Sequence, residues 1–378
     1  MMQGEKDVFV IADNVLSPLG KTTAENFSKL KQNISAIKQH TDKGISPQPF
    51  YASLFDKGEV FIEDDRYTKF EQLLIASIDD AVKQVGIDVK DQKTILIISS
   101  TKGNISLLET ETNTPELQKR IALFTSAKLI AEYFGVVNQP VIISNACISG
   151  VMGIITGMRL LKSGQYENAI VAGADVISEF VVSGFQSFQA LSPQVCKPFD
   201  KSRDGLNLGE GAGTIILSTQ KKKDENIRVL SGSVSNDANH ISGPSRTGEE
   251  LAYAIKRSLH NAVLQPADIG FISAHGTATV YNDDMEASAI ALSGLQAVPL
   301  NSLKGYYGHT LGAAGLIESI ISIQSLKNEL LLPTYGFEEI VVASAVNVCD
   351  VLTQIQANNF LKTASGFGGC NAAVIFGK

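Results

Sequence analysis

A chain of 378 residues, 44% of them hydrophobic, can bury a sizeable core, and its length suggests two domains or two closely fused halves. The net charge of −7 and pI near 5.4 remove the attraction that general nucleic-acid or anionic-membrane binding needs, so an acidic partner would require a local basic patch. Four cysteines (Cys147, Cys196, Cys349 and Cys370) form neither a disulfide framework nor a C-x-x-C zinc pair, which fits a reducing cytoplasm. The N-terminus lacks the basic start and long apolar stretch of a signal peptide, and "LGAAGLIESIISIQSL" is interrupted by Glu318 and too short to cross a bilayer, so no membrane span is expected.

Along the chain, apolar runs of strand length alternate with segments of helical period. Strand "VFVIADNV" precedes a helix near 67–85, strand "TILIISS" a helix near 119–134, and strand "PVIISN" a helix after Cys147. Strand "NAIVAGAD" and a helix near 179–190 lead to "GAGTIILSTQ", and the charged "KKKDEN" reads as a solvated connection. The second half repeats this alternation, with strand "IRVLSGSVS", helix near 247–263, strand "IGFISAHG", helix near 282–292, strand "AVPLNS" and a helix over 309–328. The last stretch, "NNFLKTASGFGGCNAAVIFGK", predicts two strands joined by a Gly-rich turn. This order of elements predicts an α/β chain of two similar fused units, 1–222 and 223–378.

Cys147 lies in "PVIISNACISG", where a strand runs directly into a helix. Unpaired N–H groups and the macrodipole at a helix N-terminus favour thiolate, so an activated cysteine is expected there; a buried structural cysteine is the plain alternative. Of five histidines, His275 and His309 follow strands, at the edge of an α/β sheet where ligands bind. His40 and His260 read as surface residues and His240 as a loop residue. Cys147, His275 and His309 could hold zinc, but no short ligand pair exists and Lys304 would compete with the metal. A thiol, two imidazoles and an ammonium suit acyl chemistry better, with backbone N–H groups of the "SGFGGC" turn stabilising an oxyanion.

Taken together, "NACISG", "KPFDKSRDGLNLGEGAG", "AHGTAT" followed by "ND", "LKGYYGHTLGAAGLIE" and "GFGGCN" resemble a β-ketoacyl-acyl carrier protein synthase of the elongating type, over nearly the whole chain from "VLSPLG" onward. The resemblance implies a duplicated thiolase-like fold of five αβαβα layers, a homodimer or a heterodimer with a chain-length partner, and no tightly bound cofactor or metal. It implies that Cys147 carries the acyl chain, while His275 and His309 promote decarboxylation of a malonyl unit delivered on the phosphopantetheine arm of an acyl carrier protein. By the same resemblance Lys304 and Glu318 tune the second histidine, and Phe367 gates the acyl pocket and joins Cys147 in the oxyanion hole. Thr277 and Thr279 hold the pantetheine arm, while Asp200, Asp204 and Glu210 are structural.

Three departures from that pattern stand out. Cys370 replaces the threonine usual after "GFGG", Asn145 replaces the threonine before Ala-Cys, and "SSTKGNIS" puts Lys102 and Asn104 where apolar pocket residues are expected. They point to a polar or conjugated acyl substrate and to a dedicated pathway such as an aryl-polyene or polyketide-like pigment rather than housekeeping fatty acid elongation. Lys119, Arg120, Lys201 and Arg203 are candidate carrier-protein contacts. A thiolase is a rival reading, weakened by the second histidine and by Asn371 and Ala372 after Cys370. A noncatalytic chain-length partner is another, weakened by the retained Cys147.

Overall fold

The computed structural model describes residues 6–222, 226–239 and 243–378, so His240 and the junction expected at 222/223 fall at or outside its described stretches. Eleven strands form one sheet. In chain order they are β1 (Phe9–Leu16), β2 (Thr94–Ser99), β3 (Val141–Ile143), β4 (Asn168–Asp175), β5 (Gly211–Ser218), β6 (Arg228–Asn236), β7 (Phe271–Ser273), β8 (Pro299–Asn301), β9 (Asn347–Val348), β10 (Asn359–Gly366) and β11 (Cys370–Gly377). Their spatial order is β9-β8-β7-β10-β11-β6-β1-β5-β4-β2-β3.

That order contains one motif twice. β1 pairs antiparallel with β5, β5 antiparallel with β4, and β4 and β3 flank β2 in parallel. Equally, β6 pairs antiparallel with β11, β11 antiparallel with β10, and β10 and β8 flank β7 in parallel. The two half-sheets meet at a seam between β1 and β6, where Phe9 faces Arg228. Helices α1 (Lys69–Lys83) and α2 (Leu123–Phe134) cover the outer face of the first half, and α5 (Glu249–Ala262) and α6 (Val280–Leu292) that of the second. Between the halves lie α3 (Ser149–Lys162) and α7 (Ala314–Asn328), each touching strands of both; α4 (Glu179–Ser187) lies nearer the site. The result is the duplicated thiolase-like fold of five layers.

Side-chain alternation along the strands builds these layers. In β2, Ile95 and Ile97 join the central core with Ile154 of α3 and Ile320 of α7, whereas Leu96 and Ile98 join Leu73 and Leu74 of α1 outside. In β10, Phe360 and Ala364 face the central core and Leu361 faces the outer one. Local signals fix the ends of α1, where Thr68 and Glu71 form a reciprocal cap. The helix expected near 119–134 is two helices, Pro115–Ile121 and Leu123–Phe134, because Ala122 turns to extended backbone between them. The terminal hairpin forms as expected, Gly366 opposite Cys370. Among the described residues, no helix is long and apolar enough to cross a membrane.

Candidate active site

The chain leaves β3 and turns sharply before α3. Ala146 takes φ = 43°, a left-handed conformation uncommon outside glycine, and Ser149 stabilises it by donating to Ala146 O at 2.6 Å while accepting from Asn145 N at 2.8 Å. Cys147 rides on this elbow, two residues before the first helical residue. Gly150 permits the next step: a Cβ there would come within 2.7 Å of Leu316 N, and one on Gly315 within 2.5 Å of Val151 Cγ2, so the first turns of α3 and α7 meet through reciprocal glycines.

A cavity of about 460 Å³ opens onto Cys147, His275, His309, Thr277, Thr279 and Phe367. The imidazole rings of His275 and His309 lie edge to face, centroids 5.3 Å apart, and both are buried. Glu286 of α6 accepts from the backbone N–H groups of His275 at 2.8 Å and Gly276 at 2.7 Å, and Asp283 accepts from Thr277 N at 2.9 Å. Sequence reasoning missed Glu286 altogether and noted Asp283 only as part of a motif; carboxylates at i and i+3 on the helix after "AHGTAT" were the available signal. On the other side, Lys304 Nζ lies 3.3 Å from His275 Nδ1, donates to His275 O at 2.8 Å and pairs with Glu318 Oε1 at 2.6 Å. Lys304 therefore contacts the first histidine directly, while its charge also acts on the second. The Thr277 and Thr279 hydroxyls hydrogen-bond each other at 2.8 Å at the cavity wall.

Electrostatics differ from expectation at the thiol. Burial pushes Cys147 up to about 12, with Cys370 adding to the rise and Lys304 opposing it, so the helix end does not by itself yield a thiolate. Burial, then Lys304, hold both imidazoles well below the usual histidine range, so they are neutral at pH 7. Asp283 is raised to about 7 by burial.

Phe367 is stacked on Phe185 at 5.7 Å and meets Phe188 edge-on at 5.3 Å. A Cβ on Gly366 would sit 2.9 Å from Cys147 N, so glycine lets the turn bearing Phe367 approach Cys147. Cys370 Sγ points back to Asn145 O at 3.7 Å and Phe367 O at 3.5 Å.

Other candidates lie elsewhere. Asn104 is buried, accepting from Thr68 and donating to Glu71 and Ser126, and Lys102 anchors its backbone N–H on Asp175; neither lines this cavity, although the Lys102 charge acts on the Cys147 thiol. Arg120 pairs with Glu71 in two contacts of 2.5 Å and Arg203 with Asp284 at 2.9 Å, whereas Lys119 and Lys201 stay exposed, Lys201 beside the equally exposed Glu339 at 3.1 Å. Asp200 and Glu210 accept backbone N–H groups as expected, whereas Asp204 binds the side chains of Ser192 and Gln194. His260 is exposed, but His40 is half-buried against Phe50. Among the described residues no His, Cys, Asp and Glu cluster suits a metal, and all four cysteines are free and buried.

Comparison with known proteins places relatives beside this geometry. Residues 5–223 match the Beta-ketoacyl synthase N-terminal domain and residues 228–338 the Beta-ketoacyl synthase C-terminal domain. The chain is 28% identical to the 3-oxoacyl-[acyl-carrier-protein] synthase 2 of Vibrio cholerae, covering 98% of this chain and 99% of that one. Among solved structures it resembles the ishigamide ketosynthase/chain length factor with TM-score 0.91 at 26% identity, covering 99% of this chain and 100% of that one. It also resembles the ketosynthase ApeO in complex with its chain length factor ApeC from Xenorhabdus doucetiae, with TM-score 0.84, 26% identity and 98% of both chains covered.

Proposed function

Because the chain belongs to the β-ketoacyl synthase family, a family of acyl-transferring condensing enzymes, we propose that it performs the family's chain-elongating condensation with Cys147 as nucleophile and His275 and His309 as the decarboxylating pair. The observation that carries this reading is the shared cavity onto which all three side chains open.

In the first half-reaction the Cys147 sulfur attacks the thioester of an acyl group delivered by a carrier protein, and the carrier's thiol leaves. A thiol raised to about 12 must lose its proton as the C–S bond forms, and a neutral imidazole beside it can relay that proton to the leaving sulfur. In the second, a malonyl thioester enters with its arm against Thr277 and Thr279. The C–C bond to its carboxylate breaks, CO₂ leaves, and the electron pair forms an enolate whose oxygen accepts hydrogen bonds from the imidazoles. Neutral rings suit this step, since a donor that does not surrender its proton leaves the enolate nucleophilic. The enolate carbon then attacks the Cys147 thioester. The resulting oxyanion is held by the N–H groups of Cys147 and Phe367, and collapse releases the β-ketoacyl carrier and the Cys147 sulfur.

The carrier's phosphopantetheine is thus substrate, and no resident cofactor is needed. Strand β3 ends the sheet with its outer side unpaired among the described residues, and Val141 and Ile142 are only half-buried; this edge supports a dimer, with a second copy or with a chain-length partner. The retained Cys147 favours an active subunit over a noncatalytic one, and four free thiols suit a reducing compartment such as the cytoplasm. Units 1–222 and 223–378 then contribute nucleophile and histidines respectively. Incubation with a panel of acyl carrier proteins, followed by mass spectrometry, is expected to show an acyl adduct on the Cys147 peptide and, after malonyl carrier protein is added, an elongated product. Condensation by Cys147→Ala would overturn the assignment.

A further inference from the structure

Lys362 stands in the middle of β10 with its side chain fully buried, between Phe360 and Ala364, which face the central core. Its ammonium donates to Ser273 O at 3.1 Å and Ala274 O at 3.0 Å and forms an ion pair with Glu318 Oε2 at 2.7 Å. Burial lowers the pKa of this lysine, and the Glu318 carboxylate beside it opposes that by favouring the charged amine. Glu318 gives its other oxygen to Lys304, which binds His275 O and the His275 ring. Two ammonium groups bridged by one carboxylate therefore grip the carbonyl groups of Ser273, Ala274 and His275 in succession.

A lysine here is costly. Burying an ion exacts several kcal/mol after relaxation, and a hydrophobic residue of similar volume is often at least as stable. Thr363, the next residue, faces the opposite side and donates to Glu286 at 2.6 Å, so consecutive residues of β10 brace the His275 loop from both faces of the sheet. We propose that Lys362 is a positioning residue for decarboxylation: with Glu318 and Lys304 it fixes the backbone that aims His275, and it supplies a second positive charge beside both imidazoles.

The charged and titratable groups around the histidines are Lys304, Lys362 on β10, Glu318 on α7, Asp283 and Glu286 on α6, the Tyr307 phenol and the Cys147 thiol. Lys304, Lys362 and Glu318 sum to one positive charge. Removing Lys362 makes that group neutral and lets the imidazoles protonate more easily, whereas neutralising Glu318 has the opposite effect. Lys362 acts on both rings in this sense, after burial and Lys304 and, at His275, after His309.

This inference rests on the assignment of His275 and His309 to decarboxylation, so the test starts from Cys147→Gln, which removes thiol ionisation. Its release of CO₂ from malonyl carrier protein is measured from pH 5 to pH 8, alone and combined with Lys362→Met or Glu318→Gln. The acid limb is expected to move up by roughly one pH unit in Lys362→Met and down in Glu318→Gln. Lys362→Gln, which keeps an amide donor for the two carbonyls, serves if the methionine variant does not fold; it should shift the limb upward while losing less of the plateau rate. A limb that stays put, or moves the same way in the lysine and glutamate variants, overturns the proposal. A Cys147→Gln parent that releases no CO₂ instead overturns the reading of the site.

Discussion

Lys304 Nζ lies 3.3 Å from Nδ1 of His275. An ammonium has only donors, so the ring must accept there and carry its proton on Nε2. The imidazole is thus presented as a hydrogen-bond donor, the form an enolate oxygen requires.

From this follows the expected behaviour of Lys304→Met. With the tautomer released, malonyl decarboxylation should fall by about 10²-fold or more, mainly in kcat, because the lost interaction matters in the transition state rather than in binding. Steady-state kinetics decide it; an unchanged kcat with a raised KM would place Lys304 in substrate binding instead.

Phe367, which the family resemblance implies is a gate, is held by Phe185 and Phe188. An aromatic pair contributes about 0.5–1.5 kcal/mol, so Phe188→Ala should speed opening roughly two- to tenfold. Stopped-flow acylation of Cys147 reads this directly. Equal acylation rates in the variant and the wild type would mean that Phe188 does not restrain the gate.

Acid stability should report the buried histidines. Their folded values lie below the ordinary 6.5, so below pH 6.5 the unfolded chain binds protons that the folded one refuses, and stability is lost as pH falls. Asp283, raised from 3.8 to about 7, acts in the opposite sense over that window, because the folded chain holds its proton. Asp175, also raised by burial, acts with Asp283, so two imidazoles stand against two carboxyls. His309→Asn removes one proton that only the unfolded chain takes up and should lower the slope of unfolding free energy against pH by about 1.4 kcal/mol per pH unit between pH 6 and pH 5. Urea midpoints measured across that window give the answer, and parallel slopes would contradict it.

Much of the scaffold was legible because strand and helix periods report burial, and burial built the layers. The elbow at Cys147 was readable from an apolar run meeting small residues, and the terminal hairpin from its glycines. Long-range charge pairing was not readable. Arg120 meets Glu71 across 49 positions and Arg203 meets Asp284 across 81, so residues that looked like a free basic face are committed within the fold. The same blindness hid the direct contact of Lys304 with the first histidine. It also hid Lys362, although a lysine interrupting "NFLKTASG" was a visible clue: strand alternation assigns that position to the core, where a charge must have a partner. The thiol was misjudged because a helix terminus is evident in sequence, whereas the depth at which it is buried is not.

The repeat in the sheet has a further meaning. In the first half the third parallel strand, β3, leads to Cys147 and then α3; in the second half its counterpart, β8, leads to His309 and then α7. Nucleophile and imidazole hold the same address in two copies of one unit, and Gly150 and Gly315 press those addresses together. The reaction centre thus lies on an internal dyad, as though two ancestral subunits had been joined into one chain and the twin positions then diverged, one toward sulfur and one toward nitrogen. Neither unit alone contains the chemistry, which arises only where their symmetry is broken.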